Sequence, residues 1–80
     1  MEVIVYSAKS CSYCERQKEF LLAKGIYFKE VDIRESEQNF NEFKSLGGTG
    51  TPFTVKRVDG QVVSKILGFD KEKLLEELLL

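Results

Sequence analysis

Cys11 and Cys14 are the only cysteines in a chain of 80 residues, and Ser12 and Tyr13 are all that separates them. Two thiols at this spacing can work as a dithiol–disulfide couple or supply half of a metal site. Tetrahedral zinc takes four ligands. The chain offers no second cysteine pair and no histidine, which leaves no metal set and favours redox exchange. A bridge closing so short a loop also removes little entropy from the unfolded chain, so it is poor structural glue. Exchange needs a thiolate. An unperturbed thiol of pKa about 8.5 is only a few per cent ionised at neutral pH, whereas a pKa lowered toward ~6 makes the thiolate the majority species.

The elements around the pair must supply that shift. Residues 2–6 form a nearly continuous apolar run, which reads as a strand buried on both faces. From Ser12 to Lys24 the chain has no glycine or proline, and Gly25 follows where a helix would end. A helix beginning at Cys11 puts the first sulfur beside unsatisfied backbone N–H groups and the positive end of the helix dipole. Cys11 is then the nucleophile, and Cys14, one turn deeper and half buried, is the resolving thiol.

The remaining elements follow from pattern and punctuation. Residues 27–33 read as a strand at or near a sheet edge, with Tyr27, Val31 and Ile33 on one side and Phe28, Glu30 and Asp32 on the other. This strand–helix–strand unit implies a parallel pair with the helix over one face. Ser36 caps a second helix running through Leu46, carried by Phe40, Phe43 and Leu46. Strands at 53–58 and 61–66 flank Asp59-Gly60, a dipeptide suited to a type I′ hairpin turn. Asp70 caps a last helix with Leu74, Leu75, Leu78 and Leu79 on its apolar stripe and a Lys73–Glu77 pair. The order is βαβαββα. Phe20, Phe40, Phe43 and the leucines of the last helix are expected in the core.

Residues 1–80 are expected to form a single domain, without internal repeat or linker. Twelve basic residues against 13 acidic ones, with no basic stripe, argue against nucleic acid as a partner. No apolar stretch is long enough for a membrane span. The strand pattern starts at Glu2, leaving no secretory n-region or h-region ahead of it, so the expected compartment is the cytoplasm. A reducing compartment disfavours static bridges and again points to a working dithiol. Gly50-Thr51-Pro52 holds the only proline. It is either loop punctuation or a cis Thr51–Pro52 bond that presents the Thr51 backbone beside Cys11, for an extended peptide to pair with.

A C-x-x-C pair in a βαβ setting reads as a thioredoxin-like redox motif. Across essentially the whole chain the sequence resembles the glutaredoxins, especially the small thioredoxin-like reductants grouped with them. Three motifs in the family's order carry the resemblance: Cys11-Ser12-Tyr13-Cys14, Thr51-Pro52 and Gly68-Phe69-Asp70. It implies an α/β thioredoxin fold, a four-stranded mixed sheet of order 2-1-3-4 flanked by three helices, the first and third on one face and the second on the other. It also implies a cis Pro52, backbone hydrogen bonds from Thr51 to substrate, and a turn at Gly68, Phe69 and Asp70 that holds the γ-glutamyl end of glutathione. The physical reading of that turn agrees, since Gly68 permits close approach and the N–H groups after Asp70 attract a carboxylate; Asp70 acting only as a cap is the alternative. Tyr13 matches the family's aromatic beside the nucleophile, with simple packing as its alternative.

The implied activity is that of a thiol–disulfide oxidoreductase acting on protein or glutathione mixed disulfides, recycled by glutathione or thioredoxin reductase. By the same resemblance it is a monomer with no permanently bound cofactor and glutathione as co-substrate. Three departures bear on glutathione. Ser12 stands where most members carry proline, Ala8 fills the slot of a Lys or Arg with Lys9 displaced by one, and Leu67-Gly68 replaces Gly-Gly, closer to the thioredoxin-reductase-dependent relatives. A second reading is a glutathione-ligated [2Fe–2S] cluster shared by two subunits, since Ser12 removes the active-site proline. A third, a non-catalytic interaction domain, is disfavoured because both cysteines are present.

Overall fold

The structure is a computed structural model and describes residues 1–79. Seven elements follow in the expected order: β1 (Glu2–Ser7), α1 (Ser12–Ala23), β2 (Lys29–Asp32), α2 (Glu37–Ser45), β3 (Phe53–Val58), β4 (Gln61–Leu67) and α3 (Lys71–Leu79). The strands make one four-stranded mixed sheet, ordered β2-β1-β3-β4. Strand β1 pairs parallel to β2 from Ile4↔Lys29 to Ser7↔Asp32. It pairs antiparallel to β3 from Glu2↔Arg57 to Tyr6↔Phe53. Lying between two partners, β1 needs apolar residues on both faces, and Val3 through Ser7 are all buried.

Alternation along β1 divides the core into two layers. Val3 and Val5 face α1 and α3, packing with Leu21, Ile26, Ile66, Leu74 and Leu78. Ile4 and Tyr6 face α2, packing with Ile33, Phe43, Phe53 and Val55. In the second layer the Tyr6, Phe43 and Phe53 rings stand 5.7–6.2 Å apart, and Phe43 meets Phe53 edge to face. Burial, with the Glu42 carboxylate alongside, pushes the Tyr6 hydroxyl up to about 12. Gly48 closes this layer, because a Cβ there would overlap the Phe43 ring.

The turns are built as their residues require. Asp59 and Gly60 both take positive φ, 53° and 80°, as a type I′ turn demands, and join β3 to β4. Ser36 accepts a 3.0 Å hydrogen bond from the Asn39 N–H at the start of α2. Asp70 does the same for α3, its Oδ1 accepting from the Lys73 N–H at 3.1 Å.

Several expectations are corrected. Strand β2 spans Lys29–Asp32 rather than 27–33: its pairing with β1 starts only at Ile4↔Lys29, and Tyr27, ahead of it, turns to solvent at 95% exposure. Phe40 is 43% exposed. A spacing of three residues walks roughly 60° around a helix at each step, so Phe40 and Phe43 cannot both point inward on a narrow apolar face. Phe20 is half-buried on a shoulder of α1, Leu79 at the end of α3 is 52% exposed while Leu74 and Leu78 are buried, and Lys73 and Glu77 form no ion pair among the described residues.

Candidate active site

The end of β1 and the start of α1 place the two sulfurs. After Ser7 the chain turns through Ser10, whose φ of 63° lies in the left-handed region that a non-glycine residue enters at a cost of about 1–2 kcal/mol. Cys11 then takes extended backbone as the N-cap of α1, and its Sγ accepts a hydrogen bond from the Cys14 N–H at 3.2 Å. A cysteine in the capping position lies where backbone donors and the helix dipole stabilise negative charge on sulfur. Cys11 and Cys14 are joined as a disulfide with their Cα atoms 5.2 Å apart. Cys11 is half-exposed, while Cys14 is only 1% exposed.

Thr51 meets the pair from the loop before β3. Its hydroxyl donates toward Cys11 Sγ at 3.6 Å. Its carbonyl oxygen stands 3.8 Å from the same sulfur, where a Cys11 S–H can donate once the bridge is reduced. The Thr51–Pro52 bond is cis and Pro52 is buried. The Gly68 N–H, in a residue with φ of 78°, donates to the Pro52 carbonyl at 2.8 Å, which ties the turn before α3 to the loop beside Cys11. Cys11, Cys14, Thr51, Pro52 and Gly68 are therefore one connected group.

The other candidates lie around this group. Tyr13 is exposed beside Cys11, with the Arg16 guanidinium 5.4 Å from its ring centre. Phe69 turns onto the α1 shoulder, its ring 5.7 Å from Phe20 with the Lys71 ammonium over both rings. Asp70 uses one carboxylate oxygen as the α3 cap. Lys9 is exposed and lines a cleft with Glu15, Lys18 and Glu30 on the β2 side. In that cleft the Ser7 hydroxyl and then the Lys18 ammonium hold the Glu30 carboxyl below its ordinary value, while Glu15 and Glu30 raise Lys18. Among the described residues no cluster of His, Cys, Asp or Glu is arranged to hold a metal ion.

Sequence reasoning passed over Gln17 and Thr54. Both are fully buried, and Gln17 Nε2 donates to Thr54 Oγ1 at 2.6 Å, joining α1 to β3 one turn along the buried face of α1 from Cys14. The signal was present: Cys14, Gln17 and Leu21 follow the three-then-four spacing of one helix face.

A parallel β1–β2 pair, an antiparallel β3–β4 hairpin, helices on both faces and a capping cysteine beside a cis-proline loop define a thioredoxin-fold thiol oxidoreductase. The glutaredoxin family model matches residues 3–63, and the chain belongs to that family. A glutaredoxin-like 8.6 kDa protein of the rubredoxin operon of Clostridium pasteurianum is 34% identical over 77 residues, covering 91% of this chain and 96% of the relative. The glutaredoxin grx-1 of Archaeoglobus fulgidus is 30% identical with a TM-score of 0.75, covering 94% of this chain and 83% of the other. The thioredoxin-like protein BC3987 is also 30% identical, with a TM-score of 0.76 and coverage of 94% and 97%. Among the described residues no helix is long and apolar enough to cross a membrane.

Proposed function

We propose that the chain reduces protein disulfides and glutathione mixed disulfides with the Cys11/Cys14 couple. The observation that carries this reading is the asymmetry of the sulfurs: Cys11 is reachable at the open end of α1, whereas Cys14 is buried behind it. The Cys11 thiolate attacks a substrate disulfide, forming a Cys11 mixed disulfide and releasing one substrate thiolate, which takes up a proton. Cys14 then loses its proton and attacks Cys11 Sγ, releasing the second substrate thiolate. Two electrons have passed to the substrate and the bridge between Cys11 and Cys14 is restored. Glutathione or thioredoxin reductase returns them.

The Cys14 N–H and the Thr51 hydroxyl both point at Cys11 Sγ and would stabilise its thiolate. The Thr51 backbone pairs with an extended substrate segment, a role its position against Cys11 Sγ supports. The backbone N–H groups at the start of α3 that the Asp70 cap leaves free suit a carboxylate such as that of a γ-glutamyl group. Tyr13 offers a ring to flank the substrate, and Lys9 a charge on the opposite side. In this reading the protein works in the cytoplasm as a monomer, with glutathione as co-substrate and no resident cofactor.

The test is recycling of the oxidised protein by glutathione with glutathione reductase, run beside thioredoxin reductase. At least one system should restore the dithiol, and failure of both would overturn the reading. Cys14→Ser should accumulate a Cys11 mixed disulfide with glutathione, seen by intact mass. An anaerobic preparation should be a colourless monomer; an iron-bearing dimer would replace this reading with the cluster-binding one.

A further inference from the structure

Gln17 carries an unused hydrogen-bonding atom on the buried face of α1, one turn from Cys14. Its side chain is 0% exposed, its Nε2 donates to Thr54, and its Oε1 has no partner. A buried amide oxygen left unpaired is costly, so the arrangement asks for a donor. Cys14 lies one turn earlier on the same inward face of α1 and is itself buried. Helix side chains lean toward the N-terminus, and Cys14 stands in the turn on that side of Gln17. While the disulfide is closed Cys14 has no hydrogen to give; once reduced, it has an S–H.

We infer that Gln17 is a positioning residue for the resolving thiol, its amide oxygen accepting a hydrogen bond from Cys14 S–H in the dithiol form. The inference rests on the dithiol reading above. Its consequence is a bias in the redox equilibrium. The oxidised protein keeps an orphan acceptor, the reduced protein satisfies it, and the dithiol is favoured by the difference. The same bond holds Cys14 as a neutral thiol until the mixed disulfide on Cys11 calls for its thiolate, whose proton then leaves to solvent or to the departing sulfur.

Gln17→Leu removes the orphan acceptor from one state and the hydrogen bond from the other. Equilibrated against a glutathione buffer, it should favour the disulfide about tenfold more than the unaltered protein does, equivalent to ~30 mV. Thr54→Val is the control for packing, because it leaves Nε2 without a partner in both redox states. It should lower the unfolding midpoint yet keep the equilibrium within about twofold, since a cost common to both states cancels. The second readout is the infrared S–H stretch of Cys14 in a Cys11→Ser background, which should move to higher wavenumber when Gln17→Leu is added. An unshifted equilibrium or S–H band in Gln17→Leu, or an equal equilibrium shift in Thr54→Val, would overturn the inference. So would a shift toward the dithiol, which would mean that the N–H end of the amide faces Cys14. Failure of the unaltered protein to exchange with the buffer would instead remove the dithiol reading, and this inference with it.

Discussion

The two faces of the sheet solve the same burial problem with different materials. On the α2 face Tyr6, Phe43 and Phe53 interlock, and Gly48 gives the Phe43 ring the space it needs. On the α1/α3 face the core is aliphatic, and toward the end of α1 that carries the disulfide it gives way to Cys14, Gln17 and Thr54. Aromatic packing gains stability from area and shape, whereas a buried polar pair gains little net stability and fixes position. The chemistry belongs to the second face because sulfur exchange needs a rigid frame in which one sulfur stays accessible.

Substitutions can separate the two roles, and the largest effect belongs to the smallest change. Cys11→Ser should abolish disulfide reductase activity while leaving the unfolding midpoint of the reduced protein unchanged, since serine is itself a good N-cap. Reductase activity equal to that of the unaltered protein would end the assignment. Phe43→Ala should do the reverse, costing about 3–5 kcal/mol in denaturant unfolding, with the molecules that remain folded still active. Gly48→Ala should cost about 1–3 kcal/mol by forcing the same ring aside.

The smallest effect lies on the β2 flank. Glu30 is held below its ordinary carboxyl value of 4.5, so its contribution to stability is present above that pH and is lost as pH falls through the folded-state value. Glu30→Gln should flatten this acid limb. Because the pair is partly exposed and screened, the loss near neutral pH should be only a few tenths of a kcal/mol, shrinking in high salt.

Much of this division was legible in the residues. The apolar run in β1, the Asp59-Gly60 turn and the Asp70 cap state their structures locally, because each depends on a few adjacent positions. The C-x-x-C pair at a helix start likewise announced the Cys11–Cys14 disulfide. What escaped depended on distant partners. Nothing near Gln17 in sequence says that Thr54 will stand opposite it, and polar residues within a helix are ordinarily read as solvent-facing. Ser10 gave no sign of its left-handed backbone, which follows from the path between β1 and α1. Phe40 misled because aromatic character suggested burial where helix rotation carries the side chain outward.

The hairpin turn offers a practical opening. Strand β3 leaves the neighbourhood of Thr51 and runs the width of the sheet, so Asp59 and Gly60 lie at its far end, exposed and engaged only in reversing the chain. Short exposed turns of this kind are where inserted sequence is best tolerated. A fluorescent label or an affinity peptide grafted between these residues would report on the molecule from the end remote from its sulfurs, leaving Cys11 open to its substrates.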